Sequence, residues 1–186
     1  KLASLRPLLS EFGLMHRRVQ VEIEWFIALS DAGFAEFKPL SSAARTQLRA
    51  RVSGFAESDA QAIKDIEATT NHDVKAVEYW LKQRFDSSIE LKAAGEFVHF
   101  ACTSEDINNT SHALMLTAAR SEVLLPALDG LIATLTQMAH AQAQQRLGHV
   151  GERRPVAQCA GLSLDQRDVV LPVVAGLAGV AQPVVS

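Results

Sequence analysis

Cysteine is scarce: the chain has only Cys102 and Cys159, far apart and in no C-x-x-C spacing. Free intracellular thiols are expected, not a disulfide framework. No apolar signal-peptide core follows Lys1, and no apolar run reaches the ~18 residues of a membrane span. With no membrane contact expected, a cytoplasmic protein is the default. Positive charge is not in excess either. Eighteen Lys and Arg face 21 Asp and Glu, for a net charge of −3, so no nucleic-acid footprint is present. The six histidines, at 16, 72, 99, 112, 140 and 149, form no H-x-x-x-H pair, and no metal site is expected. A Gly-rich phosphate loop and a G-x-S-x-G elbow are also missing. Any small anion must therefore be held by local donors, because no global field attracts it.

What the chain does have is ordinary globular composition. It runs to 186 residues, 48% hydrophobic and 21% charged, enough for one domain or for one domain and part of a second. Strand signals are nearly absent before the last forty residues. Leu14, Val19, Ile23, Phe26 and Ile27 recur at helical spacing, with the polar Arg17, Arg18, Glu22 and Glu24 mostly between them. Gly33 stops this helix and Pro39 lies beyond it. Ser41 or Ser42 caps a second helix holding Leu48 and Val52, and Ser58 and Asp59 precede a third holding Ile63 and Ile66. Thr69, Thr70 and Asn71 are cap residues before the stripe Val74, Val77, Leu81 and Phe85. Asp86-Ser87-Ser88 breaks that helix. Thr103 and Ser104 cap the next, which runs through Ile107 toward Met115. Leu124, Leu128, Leu131, Leu135 and Met138 mark a long helix, in which Pro126 fits only in the first turn or at a kink.

The fold class expected is all-α. A small helical N-terminal domain covers 1–96, the start of a long-helix bundle covers 97–145, and an irregular tail covers 146–186. In that tail helical periodicity is lost, and Pro155, Pro172 and Pro183 arrive with five glycines between Gly148 and Gly179.

Two segments carry chemistry: TTNHDVKAVE at 69–78 and HFACTSEDINN at 99–109. Each puts hydroxyls, a histidine and carboxylates at a helix start. Unpaired backbone N–H groups and the positive dipole end make such a terminus fit for a carboxylate or phosphate. His72 and His99 titrate near neutrality and suit either anion binding or proton exchange. The plainer account is that Thr103-Ser104-Glu105-Asp106 is capping chemistry, and that a lone helical histidine is structural. His72 and Asp73, as sequence neighbours, are not a ready-made charge pair.

TTNHDVKAVEYWLK and EFVHFACTSEDINNTSHALML closely resemble the matching stretches of the adenylosuccinate lyase family, of the longer bacterial type, within the fumarase and aspartase superfamily. LRPLLSEFGLMHRRVQVEIEWFIALS is similar to that family's first long helix. The likeness runs from about Lys1 to Gln145. It implies an enzyme that splits adenylosuccinate into AMP and fumarate, and the corresponding succinylcarboxamide ribotide of purine synthesis, by anti β-elimination without a cofactor. A base takes a proton from the succinyl carbon beside a carboxylate, and an acid protonates the departing nitrogen. Stabilising the carbanion-like carboxylate is a task for preorganised donors. The resemblance implies substrate contacts from Asn71, His72 and Asp73. It implies nucleotide-succinate binding by Thr103 and Ser104, with His99 toward the phosphate end. It also implies a homotetramer whose active sites each draw on several subunits.

Other parts of the family pattern do not match. Its Asp-Gly-Arg-Tyr phosphate segment is expected ahead of Lys1, which is not preceded by an initiator Met. Its Thr-His-Gly-Gln-Pro general-acid motif is expected where RLGHVGERRPVAQ stands, so His149 inherits no role. Its serine loop is expected beyond Ser186. A shifted reading frame or truncated gene near codon 145 is the expectation for the tail, and the chain alone is expected to be inactive. The alternatives are a non-catalytic helical interaction module and a related lyase such as one for argininosuccinate.

Overall fold

A computed structural model describes residues 3–143 of the chain. Its compact unit runs from Lys1 to Ala139, and a second unit begins at His140. Every regular element among the described residues is helical, as the spacing of the apolar residues requires. The helices are α1 (Arg6–Leu9), α2 (Glu11–Asp31), α3 (Ser42–Ser53), α4 (Glu57–Thr70), α5 (Asp73–Phe85), α6 (Ile89–Ala93), α7 (Ser104–Ala118) and α8 (Leu125–Ala143). The tail at 146–186, with His149 and Cys159, lies outside the described residues. Among those described, no helix is long and apolar enough to cross a membrane.

The 21-residue α2 is the axis of this unit. Ser10 caps it, its hydroxyl accepting from the Gly13 N–H at 3.3 Å, and Gly33 ends it at φ +86°, where a Cβ would be strained. Helices α1, α3, α4, α5 and α7 all pack on it. Val19, Ile23, Phe26 and Ile27 are buried as expected. Phe26 meets Phe37 at 4.8 Å and Phe85 at 5.1 Å between ring centroids. This joins α2 to the loop before α3 and to the end of α5. Gly13 permits the close approach of α1: a Cβ there would stand 2.6 Å from the Leu8 carbonyl oxygen.

Three expectations need correction. Arg18 and Glu22 were placed with the polar face of α2, yet both are buried. With neighbours on several sides, the buried face of α2 is wider than one apolar stripe. Ser58 and Asp59 do not precede α4 but lie inside its first turn. Its N-cap is Ala56, which offers no side-chain acceptor, and Asp59 reaches back to accept the Ala56 N–H at 3.1 Å. Thr69 and Thr70 are the last residues of α4, not a cap for α5. Asn71 ends α4 in the left-handed conformation at φ 51°.

Pro126 falls in the first turn of α8, one of the two places predicted for it. A six-residue π turn, Ala119–Leu124, precedes it. Here the Leu125 N–H bonds the Arg120 carbonyl, and the wider turn makes room for a proline ring that would clash with the carbonyl four residues back. Leu124, Leu128, Leu131, Leu135 and Met138 of this helical run are exposed.

Candidate functional site

The two sequence segments become the N-terminal ends of α5 and α7, and α2 draws both toward itself. His72 is the N-cap of α5. Its Nδ1 accepts the Lys75 backbone N–H at 3.2 Å, satisfying one of the otherwise unpaired amides of the first turn. That nitrogen also lies 3.8 Å from an Asp73 carboxylate oxygen. Because its lone pair accepts from Lys75, it has no proton to share, so the neighbours do not form a hydrogen-bonded pair. Asn71, exposed and left-handed, has no side-chain hydrogen bond among the described residues.

Asp73 is anchored. One carboxylate oxygen accepts the Val74 N–H at 2.9 Å, and the other meets the Arg18 guanidinium at 2.5 Å. Partial burial pulls its pKa upward, but the Val74 N–H and the Arg18 charge outweigh this and hold the carboxyl below its ordinary value. The buried Arg18 also donates through Nε to the Asn108 side-chain oxygen at 2.9 Å. One guanidinium thus bridges the first turn of α5 and the second turn of α7, a use of its planar fork that a point-charge ammonium cannot copy.

One helical turn along α2, Glu22 performs the matching task. It is fully buried, and its Oε1 lies 2.6 Å from Nδ1 of His99. The Glu22 hydrogen bond raises the His99 pKa above its ordinary value, against the opposing effect of burial. The other Glu22 oxygen, Oε2, is buried without a hydrogen-bond partner among the described residues. His99 itself sits at φ 62°, and Ala101 two residues later at φ 58°. Left-handed backbone at two non-glycine residues is strain that the surroundings must hold in place. Trp25 of α2 helps, its indole N–H donating to the Phe100 carbonyl at 2.8 Å.

Thr103 is the N-cap of α7, and its hydroxyl is occupied twice. It accepts the Asp106 N–H at 3.3 Å and donates to the Asp106 carboxylate at 2.8 Å. The Thr103 N–H donates to the same carboxylate at 2.8 Å, completing a capping box with Asp in the third position. These two Thr103 donors hold the Asp106 carboxyl below its ordinary pKa. An incoming anion must therefore turn the Thr103 hydroxyl away from Asp106. Ser104, the first residue of α7 and half-buried, makes no side-chain hydrogen bond among the described residues and is ready to donate.

The structure therefore splits the six sequence candidates. Asn71, His72 and Ser104 present uncommitted groups, Thr103 is a cap, Asp73 is an anchor, and His99 is held from behind. Arg18, Glu22 and Asn108 were missed. The available signal was the i, i+4 spacing of opposite charges immediately beside the Val19–Ile23 stripe. A groove of about 450 Å³ lined by Trp25, Ala101, Cys102, Asp106 and Thr110, among others, adjoins the second segment. A larger one, of about 610 Å³, is lined by Thr69, Thr70, Lys82 and Glu96, among others. None of the six lines either groove. Burial raises the Cys102 thiol above its ordinary pKa, which makes it a poor nucleophile. Among the described residues no three His, Cys, Asp or Glu side chains are grouped to hold a metal ion.

Comparison with known proteins adds to this geometry. A family described as Lyase matches residues 5–145. The chain is 54% identical over 140 residues to the adenylosuccinate lyase of Haemophilus influenzae, which covers 75% of this chain and 31% of that protein. It is 51% identical over 140 residues to the adenylosuccinate lyase of Vibrio cholerae, with the same shares covered. It is 43% identical over 141 residues to that of Dictyostelium discoideum, covering 73% of this chain and 30% of the other. The chain thus spans about a third of the length of the curated relatives it matches.

Proposed function

The chain belongs to the lyase family, and on that premise we propose that it supplies part of the substrate-holding side of an adenylosuccinate lyase. The reaction proposed is the non-hydrolytic cleavage of a carbon–nitrogen bond, adenylosuccinate giving AMP and fumarate, with the succinylcarboxamide ribotide of purine synthesis as a second substrate. In this β-elimination the C–H bond beside a carboxylate is broken as the C–N bond is lost. Negative charge gathers on that carboxylate, and hydrogen-bond donors fixed in advance lower the barrier. On this reading Asn71, His72 and Ser104 supply such donors, Thr103 joins them once released from Asp106, and His99 serves the phosphate end. Asp73 contributes by keeping the first turn of α5 in place. The proton-transfer groups are not among the residues described.

The observation that carries this reading is the double bridge from α2. Arg18 and Glu22, one turn apart, tie down the two segments that the family resemblance marks for substrate. The same proposal includes a helical N-terminal domain at 1–96, a bundle beginning at 97–145, and a homotetramer in the cytoplasm. The exposed leucines of α8 support assembly, since a bare apolar stripe of this length seeks cover.

The test is a chimera in which residues 5–145 replace the matching stretch of the Haemophilus influenzae enzyme. Fumarate release from adenylosuccinate is expected from the chimera and not from the 186-residue chain. A folded chimera without activity, or one that acts on argininosuccinate in preference, refutes the proposal.

A further inference from the structure

Glu22 has no explanation in the packing of α2, because a Leu or Met would fill that position without desolvating a charge. A buried carboxylate is tolerated only when a partner compensates it. Here the partner at hydrogen-bond distance is His99, and one oxygen of the carboxylate has none. The ring is fixed at Nδ1, whereas its Nε2 makes no hydrogen bond among the described residues. His99 also stands on left-handed backbone, so its ring direction is held by contacts and not by local conformational preference. A carboxylate behind an imidazole is a recurrent way to fix a proton on the ring nitrogen that faces it, so that the outward nitrogen carries a proton only when the ring is cationic.

We infer that Glu22 is a positioning residue: it locks His99 through Nδ1 so that the opposite Nε2–H is presented, as a cationic donor, to a phosphate group. This rests on the proposed function for the identity of the ligand, but not for the pairing. The consequence is a division of labour. A histidine held this way is a fixed anion clamp and a poor proton shuttle, because releasing its proton leaves the Glu22 charge buried and uncompensated. Other ionisable groups also face this pair. Lys75 and Glu78 of α5 act on His99, as does Asp106 of α7, and Cys102 lies near Glu22. The Glu22 contact is the largest influence among those that raise the His99 pKa.

The experiment uses the 186-residue chain labelled with nitrogen-15 histidine, with His99 identified by its loss in His99→Gln. Wild type is compared with Glu22→Gln, which keeps the shape, and Glu22→Met, which keeps the volume. In wild type at pH 7 both His99 nitrogens should show imidazolium shifts, and in both variants the neutral ring should dominate. AMP binding should weaken by about tenfold in the variants, the loss expected when a charged hydrogen bond becomes neutral, while adenosine binding stays unchanged. Equal weakening toward AMP and adenosine indicates simple loosening and overturns the inference. So does a His99 that is neutral in wild type, or charged in all three proteins. If wild type ignores AMP while Glu22→Gln still discharges His99, the pairing stands and the presentation of Nε2–H to a phosphate is overturned. Circular dichroism confirms the fold, and should Glu22→Gln fail to fold, Glu22→Met makes the same measurement without a polar group.

Discussion

At the scale of single residues, Arg18 is the side chain whose loss spreads furthest, because it holds two helix ends at once. Its partner Asp73 is half-exposed and Asn108 only partly buried, so both can regain some water when the guanidinium is lost. Arg18→Ala should therefore cost about 2–3 kcal/mol, below the full figure for breaking a wholly buried pair. Arg18→Lys should recover part of the stability but not the geometry, since an ammonium cannot bridge Asp73 and Asn108 as a fork does. Urea unfolding measures the first effect. Solvent protection of the first-turn amides of α5 and α7 measures the second, and a lysine variant with wild-type protection would show the fork to be dispensable. Glu22 and Arg18 resemble each other in position and differ in risk. The arginine has a partner at both ends, while among the described residues the carboxylate has His99 as its one hydrogen-bond partner.

At the scale of elements, helix starts reveal themselves in sequence when a side-chain oxygen does the capping. Ser41 and Thr103 each accept a backbone N–H from the first turn, and such residues are legible without a structure, whereas Ser88, which reads in sequence as a break after α5, also caps the short α6. The start of α4 was misread because Ala56 caps nothing and Asp59 serves the terminus from inside. Thr69 and Thr70 misled for the opposite reason, being good caps that tertiary packing enrolled as the end of a helix. The burial of Arg18 and Glu22 was not legible from one periodic stripe, since their partners lie 55 to 90 residues away. The candidate segments were legible, but which of their groups remain uncommitted was not. One element contact makes a firm prediction. Gly13→Ala places a Cβ 2.6 Å from Leu8 O and 2.7 Å from Pro7 O. These are backbone atoms that cannot swing aside, so α1 must shift. The change should cost about 1–3 kcal/mol, although alanine favours helix by up to about 1 kcal/mol. A thermal melt above that of wild type would mean α1 is free to move.

At the scale of the whole molecule, two histidines give stability opposite dependences on pH. Half-burial beside Phe12 and Phe55 lowers the His16 pKa, the Val52 carbonyl opposes this, and the Arg17 charge adds to it. A histidine with a depressed folded pKa contributes stability above its unfolded value near 6.5, lost as pH falls toward the folded one. His99, raised by Glu22, works the other way: its contribution is full below about 6.5 and disappears as pH rises through the folded pKa. Removing one histidine should therefore unmask the other. His99→Gln should be more stable at pH 8 than at pH 6, relative to wild type, and His16→Gln should show the reverse. Chemical denaturation at the two pH values checks both, and parallel shifts in the two variants would remove histidine titration as the cause.

The long reach of the α2 contacts also bears on how the chain is made. During synthesis α2 emerges well before α5 and α7, and can coil as soon as its own residues are free. Its two inward charges then have no distant partners. Yet Arg18 and Glu22 stand four residues apart, the spacing at which opposite charges on a nascent helix can offset one another. Each can serve as the other's provisional counterion until Asp73, His99 and Asn108 arrive to exchange that local pair for the three cross-chain contacts of the folded protein.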